Sequence, residues 1–355
     1  MARLKQNMVK LSWWKWIFIL LMPYVILMGF LVPLGQGITE LSPYVVYPLK
    51  TNKLDIVGYN TRFTEGQSIR AWLKQGDYHI EADNIIVRDE RHASLIFTIP
   101  GFPDTSKNDG DLSLVMDTPD GPLVLPSAVN LAAVKYPDSL ALISSQKWST
   151  NKLAVRAESN FNFPFRNILG ETIRNTYFHV PLWFAMILLF FISVLKSIRY
   201  LQKKQIEDDA KAESFVLIGV LFGILGTVTG SIWAKFTWGS FWSFDVKQNM
   251  AAISLLIYGG YFIIRNSLQD PDAKARVSGV YNVFAFVLLI PLIFIIPRRY
   301  DSLHPGNGGN PALGSQDLDN TMRIVFYPAV IAYMICGIWI AQLRYRIKLI
   351  YNNIY

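Results

Sequence analysis

Two of the chain's four histidines lie at the ends of long apolar segments. His179 precedes the run VPLWFAMILLF, and His304 stands in RRYDSLHPGNGG between two further apolar runs. A neutral imidazole is a common ligand for metal ions, including haem iron. His179 would open a helix, where the dipole disfavours imidazolium and keeps the ring neutral. The two histidines are therefore candidate axial ligands of a haem iron, one for each face of the porphyrin.

An aromatic stretch, WAKFTWGSFWSFDVKQN at residues 233–249, lies between the two histidines in the chain. Trp and Phe rings offer flat apolar surfaces that suit a porphyrin. Interfacial tryptophans are also ordinary anchors of membrane proteins, and taken alone the stretch favours that interpretation. It is the presence of both histidines that favours a haem site. The candidate contacts in this stretch are Trp238, Gly239, Phe241, Trp242, Phe244, Asp245 and Lys247.

Cations near these residues could pair with the two propionates of a haem. Lys247, Arg298 and Arg299 are the candidates, because Lys and Arg form strong hydrogen bonds with carboxylates. The two arginines could equally be residues that snorkel from a span end to the membrane surface. For Asp245, a structural cap of the following helix is as plausible as a role in orienting the loop or touching a partner.

The composition predicts a membrane protein that positions these residues on helices. Of the 355 residues, 52% are hydrophobic and 17% are charged, against about 25% charged in soluble domains. The net charge of +8 is uneven: residues 37–178 carry 14 Lys/Arg and 16 Asp/Glu, which leaves +10 for the rest. The basic residues cluster at the ends of apolar segments, which is a topology signal and not a nucleic-acid surface. A P-loop is absent, so ATP hydrolysis by this chain is not expected.

Six transmembrane helices are predicted from runs of about 20 apolar residues. They cover 13–34, 180–198, 214–235, 250–264, 279–297 and 324–343, the fourth being short and borrowing residues from the aromatic stretch. The first run is interpreted as an uncleaved signal anchor, since it is longer than a signal peptide's apolar region and lacks an A-x-A site. Lys and Arg of the loops place both termini in the cytoplasm. The aromatic stretch, the 298–323 loop and the region 36–178 then share the outer side.

The region 36–178 is predicted to be an inserted all-β extracytoplasmic domain. Short β-rich runs separated by turn signals such as NDGD and TPDGP indicate a sandwich or small barrel over roughly 42–160. His79 and His92 fall on its predicted strands and are interpreted as surface or cross-strand residues. The fold class is therefore an all-α polytopic membrane protein with a β insert. Its three parts are 1–35, 36–178 and a five-helix membrane core at 179–355.

The stretch at 238–247 resembles the tryptophan-rich "WWD" signature of haem-handling proteins in cytochrome c maturation, usually WGxxWxWDxRxT. The chain keeps Trp238, Gly239, Trp242 and Asp245 of that signature. It departs at three positions, with Phe244 for a tryptophan, Lys247 for the arginine and Asn249 for the threonine. FHVP at 178–181 and SLHP at 302–305 resemble the two outer histidine motifs of these proteins. With six spans, the chain is most similar to the CcmC family.

This resemblance implies haem b, bound without a covalent bond at the periplasmic face of the bacterial inner membrane. His179 and His304 would be its axial ligands, and the 238–247 stretch would present it to a CcmE-like haem chaperone. The other implied partners are CcmA-like and CcmB-like ABC subunits and a small CcmD-like subunit. The resemblance implies transfer without a catalytic nucleophile. The insert at 36–178 is not part of the usual CcmC pattern.

Two alternatives remain open at this point. A cytochrome c haem lyase of the CcsA or CcmF type belongs to the same superfamily, but it holds haem with histidines inside its spans. No predicted span here contains a histidine, which argues against the lyase. A membrane sensor or interaction protein with a β binding module and no haem is the second alternative.

Overall fold

The protein forms two compact units in a computed structural model that describes residues 12–65, 69–101, 110–133, 147–156, 161–304, 313–314 and 318–354. One unit is Pro33–Gly170, and the other combines the residues up to Val32 with those from Glu171 onward. The predicted insert, 36–178, begins three residues and ends eight residues later than the first unit. Arg174 explains why the second unit already resumes at Glu171: its Nη1 donates to the carbonyls of Gly29 (2.8 Å) and Val32 (2.7 Å) at the end of the first helix.

The Pro33–Gly170 unit is all-β in its described part. Its strands are β1 Gly37–Ser42, β2 Val45–Val46, β3 Lys50–Tyr59, β4 Arg70–Gln75, β5 Tyr78–Glu81, β6 Asn84–Val87, β7 His92–Ile99, β8 Gly110–Thr118 and β9 Gly121–Leu131. One sheet has the order β1-β3-β7-β6 and the other β2-β9-β8-β4-β5. All pairs are antiparallel except β2 with β9.

A single hydrophobic core joins the two sheets. Leu54 and Phe97 of one sheet and Leu73 and Leu114 of the other are buried in the same cluster. In β3, buried and less buried residues alternate, as expected for a strand with one face on a core. The β-rich unit is thus confirmed, in the form of a sandwich.

The two histidines of the β unit have separate surroundings. His79 on β5 is buried, and its backbone exchanges two 2.9 Å hydrogen bonds with Ser149. His92 begins β7, and its Nδ1 lies 2.9 Å from both carboxylate oxygens of Asp89. The first is a cross-strand residue and the second a surface residue, as the sequence suggested.

The second unit is helical. Its helices are α1 Trp13–Leu31, α2 Thr176–Lys203, α3 Ile206–Trp238, α4 Val246–Ser267, α5 Pro271–Ile290 and α6 Asn320–Ile354. Among the described residues, five segments are long and apolar enough to cross a membrane: Trp13–Leu31, Gly170–Lys203, Ile206–Trp238, Pro271–Arg298 and Asn320–Tyr351. These segments correspond to five of the six predicted spans, of which the first, predicted at 13–34, ends at Leu31, and they are those of a multi-pass membrane protein.

The fourth predicted span, 250–264, lies on α4 and does not meet the same criterion, so a count of six is not confirmed. Helix α4 has 22 residues, but it opens with Lys247, Gln248 and Asn249 and closes on a polar turn that begins at Arg265. The fifteen residues 250–264 between them, apolar apart from Ser254, rise about 22 Å at 1.5 Å each, which is short of a hydrocarbon core of about 30 Å. A buried bidentate ion pair of Arg265 with Asp209, at 2.8 and 2.6 Å, nevertheless holds α4 against α3.

Glycines of α3 receive side chains of α2 at close range. The contacts pair Gly219 with Phe190, Gly223 with Met186, Gly226 with Trp183 and Gly230 with His179. A Cβ at any of these glycines would lie between 2.5 and 3.0 Å from a neighbouring side chain. The two-residue link at Lys204 and Gln205 makes the helices antiparallel neighbours. The two helices therefore pack closely at these small residues, and the last of the four contacts is with a histidine.

Pro291 interrupts the fifth predicted span, 279–297. Helix α5 ends at Ile290, a π turn follows over Pro291–Ile295, and a 3₁₀ turn over Ile296–Arg298 comes next. Proline removes one helical donor and crowds the preceding turn, which accounts for the change of winding. This 3₁₀ turn packs against α4 and carries Arg298 towards the segment of His304.

Candidate functional site

The tryptophan-rich stretch is the connection between α3 and α4. Gly239 ends α3 in the left-handed conformation (φ 83°), and its N–H donates to the carbonyl of Lys235 at 3.1 Å. This is an ordinary glycine C-cap. Asp245 then caps α4, because its Oδ1 accepts the N–H of Lys247 at 2.8 Å. Trp238 and Asp245 are thus held at the two ends of one short turn.

Asp245 also holds the segment that contains His304. Its Oδ1 lies 2.9 Å from Nδ1 of His304 and accepts the hydroxyl of Ser302 at 3.1 Å. Its Oδ2 accepts the N–H of Leu303 at 2.7 Å. The Asp245 side chain is only 2% exposed. The cap and the positioning role, which were separate options in the sequence, are performed by the same carboxylate.

The charge of Asp245 fixes which nitrogen of His304 is free. Burial acts to raise the pKa of Asp245, but hydrogen bonds from His304, the Leu303 N–H and the Lys247 N–H outweigh it and hold the pKa well below its usual range. An ionised carboxylate can only accept, so Nδ1 of His304 carries the proton. Its Nε2 keeps the lone pair that could bind a metal. The ring of Trp238 packs edge-on against His304, with centroids 4.7 Å apart.

His179 is oriented by α3 and not by a loop. Helix α2 begins at Thr176, so this histidine lies in the first helical turn, inside the apolar segment Gly170–Lys203. His179 immediately precedes the predicted span 180–198, and the apolar helical segment extends beyond that prediction on its N-terminal side to include it. His179 Nδ1 lies 3.1 Å from the hydroxyl oxygen of Thr229.

The Thr229 hydroxyl acts as an acceptor towards His179. Its oxygen lies 2.8 Å from the helical carbonyl of Leu225 and 3.1 Å from that of Gly226, so its single proton has a helical acceptor and the oxygen lone pairs are left for an N–H donor. When Nδ1 of His179 donates to this oxygen, its Nε2 keeps the lone pair that could bind a metal. Asn175 also holds the start of α2 beside Thr229, because its side-chain amide donates to the Thr229 carbonyl at 3.2 Å.

The two histidines meet the same end of α3. The His179 ring packs edge-on against Trp233, with centroids 5.8 Å apart, while His304 packs on Trp238. Five residues of helix rise about 7.5 Å, so the two tryptophans lie little more than one turn apart. His179 and His304 are thus both brought to the last turns of α3.

The aromatic residues of the connection differ in exposure. Phe241 and Phe244 are 57% and 77% exposed, whereas Trp242 is partly buried and donates its Nε1–H to Asn249 at 3.3 Å. Phe244 has a left-handed backbone (φ 57°), and its carbonyl accepts the Asn249 amide at 2.8 Å. A bulky residue at positive φ is strained, and the hydrogen bonds of the turn hold Phe244 in that conformation. Apolar ring surface of Phe241 and Phe244 is therefore exposed on the connection between α3 and α4.

The candidate cations are less closely tied to the histidines. Lys247 is partly buried and contributes its backbone N–H to Asp245. Arg298 and Arg299 are exposed, and neither guanidinium has an ion-pair partner within the part of the chain that the structure describes. The structure places them in the turn between α5 and the His304 segment. They are available to a carboxylate ligand but are not held in position for one.

Sequence reasoning did not identify Thr229, Gly230 or Ser302 as residues of the site. A signal was present for Thr229: it stands four residues before Trp233, on the same face of a helix. That face meets α2 through Gly226 and Gly230, so a hydroxyl there could have been expected to face α2. The donor set fits a haem iron, because two imidazoles present free Nε2 atoms beside flat apolar rings.

Comparison with known proteins places these features in one family. Residues 154–354, more than half of the chain, match the family CcmC, described as heme exporter protein C. Heme exporter protein C of Haemophilus influenzae is 27% identical over 133 residues, which cover 38% of this chain and 53% of that protein. The Rhodobacter capsulatus protein of the same name is 24% identical over 148 residues, covering 42% and 59%. That of Bradyrhizobium diazoefficiens is 27% identical over 169 residues, covering 46% and 62%.

The matched part of the chain thus spans between about half and two thirds of the length of these relatives. The family match contains α2 to α6, His179, the 238–247 stretch and His304. Strands β1 to β9 lie outside it. The chain belongs to the CcmC family of heme exporter protein C.

Proposed function

We propose that this protein binds haem between His179 and His304 and passes it to a haem chaperone during cytochrome c maturation. The observation that carries the proposal is that both imidazoles make the same kind of hydrogen bond. Each has its Nδ1–H engaged by a neighbouring oxygen, at 2.9 and 3.1 Å, which leaves Nε2 for iron. Haem, when bound, supplies the iron and the flat apolar surface that these residues recognise.

The other predicted residues contribute to binding in distinct ways. Trp238 supports the His304 ring, and the exposed faces of Phe241 and Phe244 cover the apolar edge of the porphyrin. Lys247, Arg298 and Arg299 neutralise the propionates. The haem is haem b, held by coordination and contact without a covalent bond. Gly239 and Trp242 shape the turn on which the binding residues stand.

The proposed topology has six spans, of which α4 is a short one in addition to the five long apolar segments. Its buried pair with α3 keeps α4 within the bundle, and the aromatic connection extends its apolar length. Both termini are cytoplasmic in the bacterial inner membrane, and the β insert of 36–178 is periplasmic, as the distribution of Lys and Arg favours. The haem site is then on the periplasmic side.

The proposed partners follow from the family. They are a CcmE-like chaperone that accepts the haem, CcmA-like and CcmB-like ABC subunits, and a small CcmD-like subunit. The chain acts as a binding and transfer protein and uses no hydrolytic or nucleophilic site. The exposed aromatic turn is the part of the site that a chaperone can reach.

Chaperone loading tests this proposal. The chain is co-expressed with the ABC subunits, the small subunit and the chaperone, and covalent haem on the chaperone is measured. We expect loading by the parent protein and by His92→Ala, whose histidine lies on the β unit, and none by the double variant His179→Ala/His304→Ala. Unchanged loading by the double variant would overturn the proposal. Haem attached directly to an apocytochrome without the chaperone would favour a lyase instead.

A further inference from the structure

The two histidines donate to partners of different charge. His304 donates to the buried carboxylate of Asp245, and His179 donates to the neutral hydroxyl of Thr229. A hydrogen bond to an ionised acceptor is roughly twice as strong as one between neutral groups. A carboxylate partner also raises the basicity of the imidazole as a metal ligand. The Nε2 of His304 is therefore the better electron donor of the two.

The two partners also differ in how firmly they are held. Besides His304, Asp245 accepts from the Lys247 N–H, the Leu303 N–H and the Ser302 hydroxyl. That network fixes the carboxylate and the His304 backbone as one unit. The Thr229 hydroxyl is tied only to carbonyls of its own helix, those of Leu225 and Gly226, and it contacts α2 through Nδ1 of His179.

Gly230 adds a steric element to the His179 site. A Cβ at this position would lie 2.6 Å from Cε1 and 3.2 Å from Nδ1 of the imidazole. The ring therefore lies directly on the α3 backbone, in space that only glycine leaves open. Its neighbour Thr229 supplies the acceptor, so two successive residues of α3 set the position and the tautomer of His179.

We infer that Thr229 and Gly230 are positioning residues for His179, and that His179 is the ligand that yields first when haem leaves. His304, with its anionic partner, stays on the iron longer. This inference rests on the proposed haem function. It adds an order to the release step: the helix-borne ligand opens, while the loop-borne ligand remains beside the aromatic turn.

The positioning role can be tested without haem. In apo protein labelled with ¹⁵N-histidine, the nitrogen shifts report which imidazole nitrogen carries the proton. We expect His179 to be protonated at Nδ1 in the parent and in Thr229→Ser, and to show a mixture of tautomers in Thr229→Val. A merely structural role for Thr229 would leave the tautomer unchanged in Thr229→Val, and that result would overturn the assignment.

The order of release can be tested with carbon monoxide as the probe. In the reduced haem-loaded protein, carbon monoxide displaces the weaker axial ligand, and photolysis then leaves iron with the retained histidine alone. The iron–histidine stretching frequency, measured by resonance Raman, responds to the hydrogen-bond partner of that retained ligand. We expect the frequency to shift in Asp245→Asn and to stay unchanged in Thr229→Val.

Three results would contradict the order. A shift in Thr229→Val alone would show that His179 is the retained ligand. Shifts in both variants, or in neither, would show that the two ligands are equivalent. A parent protein without a bis-histidine spectrum would overturn the haem proposal as well, so the two failures are distinguishable.

Discussion

The His179 site and the His304 site reach the same end of α3 by different structural means. His179 stands on a regular helix, and its orientation depends on how closely α2 approaches the α3 backbone at Gly230. His304 stands on a connection without regular structure, and its orientation depends on a buried charge, Asp245. A helix already fixes the backbone of its histidine, so the ring needs only space and one hydrogen-bond acceptor. A loop does not fix the backbone, so a carboxylate that accepts several hydrogen bonds has to hold both the loop and the ring.

The comparison also assigns distinct roles to residues that the sequence presents as one motif. Within the 238–247 stretch, Trp238 and Asp245 contact His304, whereas Phe241 and Phe244 face outward. The stretch therefore serves the loop-borne histidine directly. The helix-borne histidine is served by Thr229, Gly230 and Trp233, which lie before the motif.

The largest expected difference is between the two single histidine variants. His304→Ala and His179→Ala should both abolish the six-coordinate low-spin spectrum, because each removes one axial ligand. Haem affinity should fall by about 100-fold or more in His304→Ala and less in His179→Ala, since the stronger donor is lost in the first. Haem titration of the two purified variants gives the ratio. Equal losses of haem affinity in the two variants would contradict the claim that His304 is the stronger ligand.

Asp245→Asn is expected to have the next largest effect. Asparagine caps a helix about as well as aspartate, so α4 should keep its N-terminus. The charge that orients His304 is lost, and haem affinity should fall by about 10- to 100-fold. Asp245→Ala is the matched variant that also removes the cap and should cost about 1 kcal/mol of further stability. Parent-like haem titration in Asp245→Asn would show that the carboxylate does not set this ligand.

Gly230→Ala should have a smaller effect, confined to the His179 site. The added methyl group meets the imidazole at 2.6 Å, so the ring must turn away from Thr229. We expect roughly a tenfold weaker haem affinity and a larger high-spin fraction in the optical spectrum. Gly259→Ala on α4 is the control, because a Cβ there meets nothing within 4 Å. If both variants behaved like the parent, close approach at Gly230 would not position His179.

Much of the fold follows from patterns that the sequence states locally. Apolar length predicted α1, α2, α3, α5 and α6, and alternation with turn residues predicted the β unit. Helix α4 is the exception, because its polar first turn and Arg265 shorten its apolar part. Arg265 finds its partner Asp209 on α3, 56 residues away in the chain, and no local pattern reveals that pairing.

The candidate site was predictable in its members and not in their connections. The types of His179, His304 and Asp245 are visible in the sequence, as is the aromatic turn between the two histidines. The pairing of His304 with Asp245 joins residues 59 apart, and that of His179 with Thr229 joins residues 50 apart. The contact of His179 with Thr229 depends on the register of α2 against α3, which is set where side chains of α2 pack on the glycines of α3.

The optical spectrum of the purified protein supplied with haem tests the central claim most directly. We predict a Soret band and the low-spin bands of iron with two histidine ligands in the parent. The double variant His179→Ala/His304→Ala, expressed at the same level, should lose them. A parent without a Soret band would contradict the account, as would a double variant whose low-spin spectrum is unchanged.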